Sequence, residues 1–240
     1  FLEPDDALES INVAIVGLPS SSSSEDIAQA VRSSLDSDVV MMGFSPEAIG
    51  TVIRRAMTHA KGFGEYDWEY LAPQPLDPLE QMALDQVLAE EVGAGNRGPT
   101  LRIWEWAQPA VVIGSFQSVN NEVDLDAAAR HGMEVVRRVS GGGAMFMELG
   151  TAITYSLYAP AELVSGMSFQ DSHAFLEDWV VQALRALDID ASYQPHIDIT
   201  SPTGKIGGAA QKRLGSGAVL HPVTMAYDMA GHRMVEVLRI

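Results

Sequence analysis

Two short segments of this 240-residue chain concentrate the residue types that could do chemistry. The first is Arg137-Arg138-Val139-Ser140-Gly141-Gly142-Gly143-Ala144, directly after the apolar pair Val135-Val136. Three consecutive glycines let backbone N–H groups approach a ligand with no Cβ in the way, and the two arginines add charge and fork-shaped donors. Such a loop suits an anion lying beside a flat or extended tail. The same residues also suit a β-hairpin with a flexible loop, and the pattern alone leaves both open. A mononucleotide loop of the Lys-Ser type is disfavoured, because that motif opens directly into a helix and a strand follows here.

The second segment runs from Asp198 to Arg213. Lys205 stands ahead of Gly207-Gly208 and Ala210, seven residues after Asp198, with Lys212 and Arg213 beyond. A lysine in this position can hold a carboxylate oxygen and a phosphate oxygen together and so lower the barrier for attack of one on the other. The plain alternative is a solvated lysine at a turn. The chain has only three lysines, Lys61, Lys205 and Lys212, and two of them fall in this one stretch, which favours the chemical reading.

Composition narrows the field. There are 15 basic and 32 acidic residues, a formal charge of −17, so a surface that grips nucleic acid by general electrostatics is not expected and an anionic ligand needs a local basic site. The absence of cysteine excludes disulfides, thiolate metal sites and a cysteine nucleophile among these residues. No apolar stretch approaches the roughly 20 residues of a membrane helix, and no signal peptide is visible, so the chain reads as soluble and no membrane partner is expected. It starts at Phe1 rather than Met and stops at Ile240 after a strand-like run, so one or both ends are expected to be incomplete, the C-terminal one included.

The elements that must position these segments follow from patterning. Residues 11 to 17 read as a strand. A helix follows the serine run, with Ser22 and Glu25 resembling a capping box and Ile27, Ala30, Val31 and Leu35 at helical spacing. Ser45-Pro46 opens a second helix with Ile49, Val52, Ile53, Ala56 and Met57 on one face. Residues 1–61 therefore make a small β-α-α module, and 62–66 a linker. From residue 67 to 240 the style changes. Asp77-Pro78-Leu79-Glu80 starts a helix to about Val92, and Leu101–Trp106 and Ala110–Ile113 flank a turn and suggest an antiparallel pair. A short helix over Leu125–Arg130 leads to a strand at Met133–Arg138. The glycine loop then joins this strand to one at Thr151–Tyr158, a long helix runs from Ser168 to about Leu187, and strands continue through Tyr227. Strand runs with inserted helices favour an α+β fold of mixed, largely antiparallel sheets over a doubly wound one.

Together the two segments resemble the lipoate-protein ligase family of the biotin and lipoate ligase superfamily. That pattern is an arginine pair, Ser-Gly-Gly-Gly-Ala, an Asp-bearing strand, Lys-Ile-Gly/Ser-Gly-x-Ala-Gln-x-Arg and a His-x-x-Thr strand. This chain has Arg137, Arg138, Ser140 to Ala144, Asp198, Lys205 to Arg213 and His221-Pro222-Val223-Thr224 in that order. The resemblance extends over about 67–240. It departs from the family at Met147-Glu148 in place of His-Asp, at Ile197 in place of Asn, and at Pro222-Val223 in place of His-Gly. More faintly, the first 60 or so residues are similar to the small accessory domain that many such ligases carry after the catalytic domain.

The resemblance implies an adenylate-forming ligase that uses ATP, magnesium and lipoate and acts on apo lipoyl domains of 2-oxoacid dehydrogenase complexes or the glycine cleavage H protein, in the cytoplasm. It implies Lys205 as the catalytic residue, binding the lipoyl carbonyl and the phosphate. Substrate would be bordered by Arg137, Arg138, Ser140, Gly141, Gly142, Gly143, Ala144, Gly207, Gly208 and Ala210. Nucleotide would meet Asp198, Lys205, His221 and Thr224, with Asp198 also a magnesium ligand. Two alternatives stand beside it. One is a non-catalytic relative that binds lipoate or a lipoyl domain. The other is an octanoyl or lipoyl transferase, whose usual acyl-cysteine intermediate the zero cysteine count opposes. A biotin ligase fits less well, because its glycine loop is interleaved with arginines.

Overall fold

The computed structural model describes residues 2–4, 6–194 and 198–239. The chain divides into two units, Phe1–Phe63 with Glu162–Ser172, and Gly64–Ala161 with His173–Ile240. Ile197 lies outside the described residues. No helix among those described is long and apolar enough to cross a membrane.

The smaller unit pairs two short strands, β1 (Leu2–Glu3) and β2 (Val40–Met41), and packs three helices: α1 (Ala7–Ile15), α2 (Ser24–Ser34) and α3 (Pro46–Met57). The strand expected at 11–17 is therefore mostly helix α1. Ala7 and Ile11 are buried at i, i+4 spacing while the β-branched Val13 points to solvent, so the helical period outweighs the local strand propensity. The capping box on α2 is Ser23 with Asp26, one residue later than the Ser22–Glu25 reading. On α3 the expected apolar face is largely exposed at Val52 and Met57, and Gly50 is the buried contact instead. A Cβ there would meet the Ala28 side chain at 3.2 Å, so the missing side chain lets α3 approach α2 closely.

In the larger unit, β3 (Glu69–Leu71) and β4 (Pro75–Leu76) precede α4 (Pro78–Gly93), whose capping box uses Asp77 and Glu80 as the sequence suggests. Next come β5 (Thr100–Ile103), β6 (Glu105–Trp106) and β7 (Ala110–Ile113). These do not form the expected antiparallel pair. Trp104 N–H bonds Thr154 O at 2.9 Å, after which the chain leaves one sheet for another. All four residues of β7 are buried, the mark of a strand covered on both faces rather than of a half-exposed hairpin arm. Helices α5 (Val119–Glu122) and α6 (Leu125–Arg130) lead to β8 (Glu134–Arg137) and then to β9 (Met145–Met147). β7 is the centre of a three-stranded sheet, parallel to β8 and antiparallel to β9. The glycine loop thus crosses the end of β7 from one flank to the other and is not a hairpin.

The remaining elements are β10 (Ala152–Pro160), α7 (Phe169–Ala186), β11 (Ser192–Gln194), β12 (Asp198–Ser201), β13 (Gly204–Ala209), β14 (Lys212–Arg213), β15 (Ala218–Ala226) and α8 (Gly231–Val237). The run before Ile240, read as strand-like, is therefore helix α8. Among the described residues one sheet runs in the order β11-β12-β13-β15-β10-β5-β3, with β14 also on β15, and only the β3–β5 pair is parallel. This is the α+β architecture that the strand runs imply. Beneath it, Asp85 of α4 is fully buried, accepts a hydrogen bond from the Tyr158 hydroxyl and lies 3.8 Å from Arg102 Nη1. Burial pushes its carboxyl up to about 6 despite these partners.

Candidate functional site

The loop after β8 is shaped by its own arginines. Arg138 is buried, and its guanidinium donates to the carbonyls of Gly141 (Nε 3.1 Å, Nη2 2.7 Å), Gly143 (Nη2, 2.8 Å) and Val112 (Nη1, 3.2 Å). Desolvation lowers its pKa to about 10, which still leaves it charged at neutral pH. Arg137 is exposed on β8 and gathers the carbonyls of Gly114 (2.8 Å), Ser115 (3.3 Å) and Gln117 (2.7 Å) with Nη1. Arg138 therefore fastens the glycine loop and Arg137 the turn after β7, and of the two only Arg138 lines a cavity. Ser140 is buried and its carbonyl accepts from Ser115 N–H at 2.9 Å. Gly142 has φ +98°, which disfavours any side chain, and a Cβ there would lie 2.8 Å from Arg138 Nη2, so the guanidinium end would have to shift to admit one.

Lys205 is placed by an irregularity in the strand pairing. Along β12 and β13 the partners are Asp198 with Gly208, Ile199 with Gly207, and Thr200 with Lys205, so Ile206 is an extra residue opposite the Ile199–Thr200 step. In a regular strand, residues 205 and 208 would face opposite sides. The bulge corrects the parity and lays Lys205 over Gly208, on the face of Asp198. Lys205 Nζ reaches Asp198 Oδ1 at 2.6 Å, and a Cβ on Gly208 would come within 3.3 Å of Lys205 Cε and Nζ. The missing side chain at 208 is the room in which the lysine lies.

The two segments meet across a cavity of about 590 Å3 between the three-stranded sheet and the larger one. Its polar lining residues are Arg138, Asp198, Lys205 and Thr224; Gly143, Ala144, Gly207, Gly208 and Ala210 form part of the wall. The rest is apolar, from Met145 and Met147 on β9, Ile206 in the bulge, Pro222 on β15, and Met229, Met234 and Leu238 in and around α8. These apolar residues are additions to the sequence reading. Two of the family departures fall here: Met147 and Pro222 line the cavity, and Glu148 fixes the start of α8 by accepting from Arg233 Nη1 at 2.9 Å and Ala230 N–H at 3.3 Å.

Several expected site residues are not in the lining. Arg137, Ser140, Gly141 and Gly142 shape the loop from outside it. His221 is the clear correction. On β15 it differs from Thr224 by three residues and from Pro222 by one, so it projects to the opposite face, where it is fully buried beside Glu177 of α7. It has no route to a nucleotide in this cavity.

A family profile described as the lipoyl protein ligase A/B catalytic domain matches residues 77–240. An octanoyltransferase LipM of an Exiguobacterium species is 32% identical over 127 residues, covering 52% of this chain and 45% of that protein. The chain spans about half the length, or less, of the first curated relatives it matches. Among solved structures, the bi-partite lipoate protein ligase of Thermoplasma acidophilum, analysed with its E2 lipoyl domain, superposes with TM-score 0.58 at 27% identity over 72% of this chain and 68% of that one. A lipoate-protein ligase A bound with ATP superposes with TM-score 0.57 at 26% identity over 72% and 71%.

Proposed function

Because the chain belongs to the lipoyl protein ligase A/B catalytic-domain family, we propose that it is an ATP-dependent lipoate-protein ligase, which activates the acid as its adenylate and passes the acyl group to a lysine of an apo lipoyl domain. The observation that carries this reading is the cavity, whose mostly apolar lining also includes the paired ammonium of Lys205 and carboxylate of Asp198, in a chain without cysteine. An acyl tail fits among Met145, Met147, Ile206 and Met234, which leaves its carboxylate near Lys205. A carboxylate oxygen then attacks the α-phosphorus of ATP and pyrophosphate leaves. In the second step the acceptor amine attacks the acyl carbonyl, AMP leaves with the bonding pair, and the amine loses a proton.

Lys205 supplies positive charge where both steps build negative charge on oxygen, and Asp198 keeps its ammonium in place. Arg138 acts through the loop it holds, keeping the Gly143 and Ala144 backbone at the cavity edge. The lining offers one carboxylate, Asp198, and magnesium is commonly held by one or two carboxylates plus substrate phosphates, so an ion carried on the triphosphate suits this donor set and would neutralise phosphate charge. A cytoplasmic location accords with use of ATP.

The names of the curated relatives favour a second reading, octanoyl transfer, which we would write as transfer from a carrier protein to the same kind of acceptor. The zero cysteine count of these 240 residues weighs against its acyl-cysteine form. The test is the first half-reaction alone. With lipoate or octanoate, ATP and magnesium, and no acceptor, the protein is expected to release pyrophosphate and accumulate acyl-adenylate. A folded protein that binds the acid but releases no pyrophosphate would favour the transferase.

A further inference from the structure

On the face of the large sheet opposite the cavity, three side chains converge that the proposed chemistry does not use. His173 and Glu177 stand one turn apart on α7, so their side chains share a face, and His221 reaches them from β15. All three are completely buried. Glu177 Oε1 lies 3.4 Å from His173 Nδ1 and 3.4 Å from His221 Nε2, and the candidate donor atoms of the three residues lie within 4.8 Å of one another. The two imidazole rings stand 5.0 Å apart between centroids, inclined at 66°.

These separations are long for hydrogen bonds, whose N···O distances cluster near 2.9 Å. They match the edge of a tetrahedron of donors around zinc, about 3.4 Å for bonds of about 2.05 Å. The polar accounting points the same way. Glu177 Oε2 and both ring nitrogens of His221 are buried without a hydrogen-bond partner, as is the hydroxyl of Tyr155, whose ring packs edge-on against Trp179, two residues along α7 from Glu177. The two 3.4 Å contacts to Glu177 Oε1 offset only part of the desolvation cost that such a carboxylate and imidazole carry. A divalent cation bound by both carboxylate oxygens and two imidazole nitrogens would offset it for Glu177 and for the ligating nitrogens together.

We propose that His173, Glu177 and His221 form a buried site for a single divalent transition-metal ion of the zinc class, which ties α7 to β15 from behind the acyl cavity. Two nitrogens and a carboxylate suit zinc, or cobalt in its place, better than magnesium or calcium, which take oxygen donors. The donors are closed off from solvent, so the ion's role is structural. It fixes β15, whose opposite face presents Pro222 and Thr224 to the cavity. Because the site is closed, loading takes place as the chain folds.

The test uses the untagged 240-residue chain. One sample is purified from zinc-supplemented cells and dialysed against a chelator, and another is unfolded and refolded with cobalt(II). About one equivalent of zinc retained in the first, and the visible absorption of tetrahedral cobalt in the second, are expected. Glu177→Gln and His221→Gln should lower retained metal at least tenfold, whereas His131→Ala, at a half-buried histidine 2.8 Å from Glu236, should leave it unchanged. Less than a tenth of an equivalent in the wild-type protein under both loading conditions would overturn the proposal, whether or not the variants fold. So would uptake that survives intact in the folded Glu177 and His221 variants, or uptake lost with His131.

Discussion

Replacing Gly142 and Gly143 in turn by alanine separates the two jobs that a run of glycines can do. At Gly142 the backbone φ of +98° lies in the region that L residues avoid, at a cost of about 1–2 kcal/mol. The new Cβ would also sit 2.8 Å from Arg138 Nη2, the atom that donates to the Gly141 and Gly143 carbonyls at 2.7 and 2.8 Å. Shifting that nitrogen weakens at least one charged hydrogen bond, each of which contributes about 1.5–3 kcal/mol. Gly142→Ala should therefore destabilise the unit by about 2–4 kcal/mol. At Gly143 nothing lies within 4 Å of the added carbon and no unusual φ is involved, so Gly143→Ala should change stability by no more than about 0.5 kcal/mol and act, if at all, on ligand binding at the cavity wall. Urea unfolding followed by tryptophan fluorescence reads this directly, because Trp68, Trp104, Trp106 and Trp179 all belong to the larger unit. The expected midpoint shift is about 1–2 M for Gly142→Ala at unchanged slope and near zero for Gly143→Ala. Equal shifts in the two variants would refute the argument that Arg138 and the loop conformation, rather than glycine content as such, set the requirement.

Three further outcomes are expected. Lys205→Ala should unfold within about 1 kcal/mol of wild type, because its ion pair with Asp198 is largely solvent-exposed, yet lose adenylate formation by at least about 100-fold in a pyrophosphate-release assay. Gly208→Ala should displace the lysine without removing it, and lower adenylation by about tenfold while acid binding, measured by calorimetry, holds. Asp85 has a folded pKa of about 6 because burial raises it above 3.8, so between about pH 4 and 6 the folded state holds the proton that the unfolded state has lost. Stability should therefore fall as pH rises through that window, by about 3 kcal/mol relative to Asp85→Asn, and level off above it; parallel curves for the two proteins from pH 4 to 7 would contradict this.

Much of the larger unit is legible in the sequence because local signals and tertiary demands agree there. The Asp77–Glu80 cap fixes the start of α4 and the lysine strand falls where its pattern places it, whereas the glycine loop leaves its expected strand but leads into β9 rather than straight to β10. What escapes the sequence depends on partners far along the chain. The antiparallel reading of β5 and β7 fails because each run is claimed by a different sheet, β5 by β3 and β10, and β7 by β8 and β9. Helix α1 is misread because a short β-branched run carries no record of whether a neighbouring strand exists to pair with it. In the site, the Ile206 bulge that turns Lys205 toward Asp198 leaves no compositional mark, and the apolar wall from α8 could be found only by noticing Met234 and Leu238 at helical spacing. The His221 reading was open to correction from parity alone, since residues 221 and 224 on one regular strand face opposite sides.

The most direct test of the central claim offers the protein two acyl donors in parallel, with the same apo lipoyl domain as acceptor, and weighs the acceptor by intact mass spectrometry. One reaction contains free lipoate or octanoate with ATP and magnesium; the other contains an octanoylated carrier protein and no nucleotide. An adenylate-forming ligase built on the Lys205 cavity modifies the acceptor lysine in the first reaction, with stoichiometric AMP and pyrophosphate, and leaves it unmodified in the second. Modification in the second reaction alone, by this cysteine-free chain, would contradict the account and make it an octanoyltransferase with a different activating group.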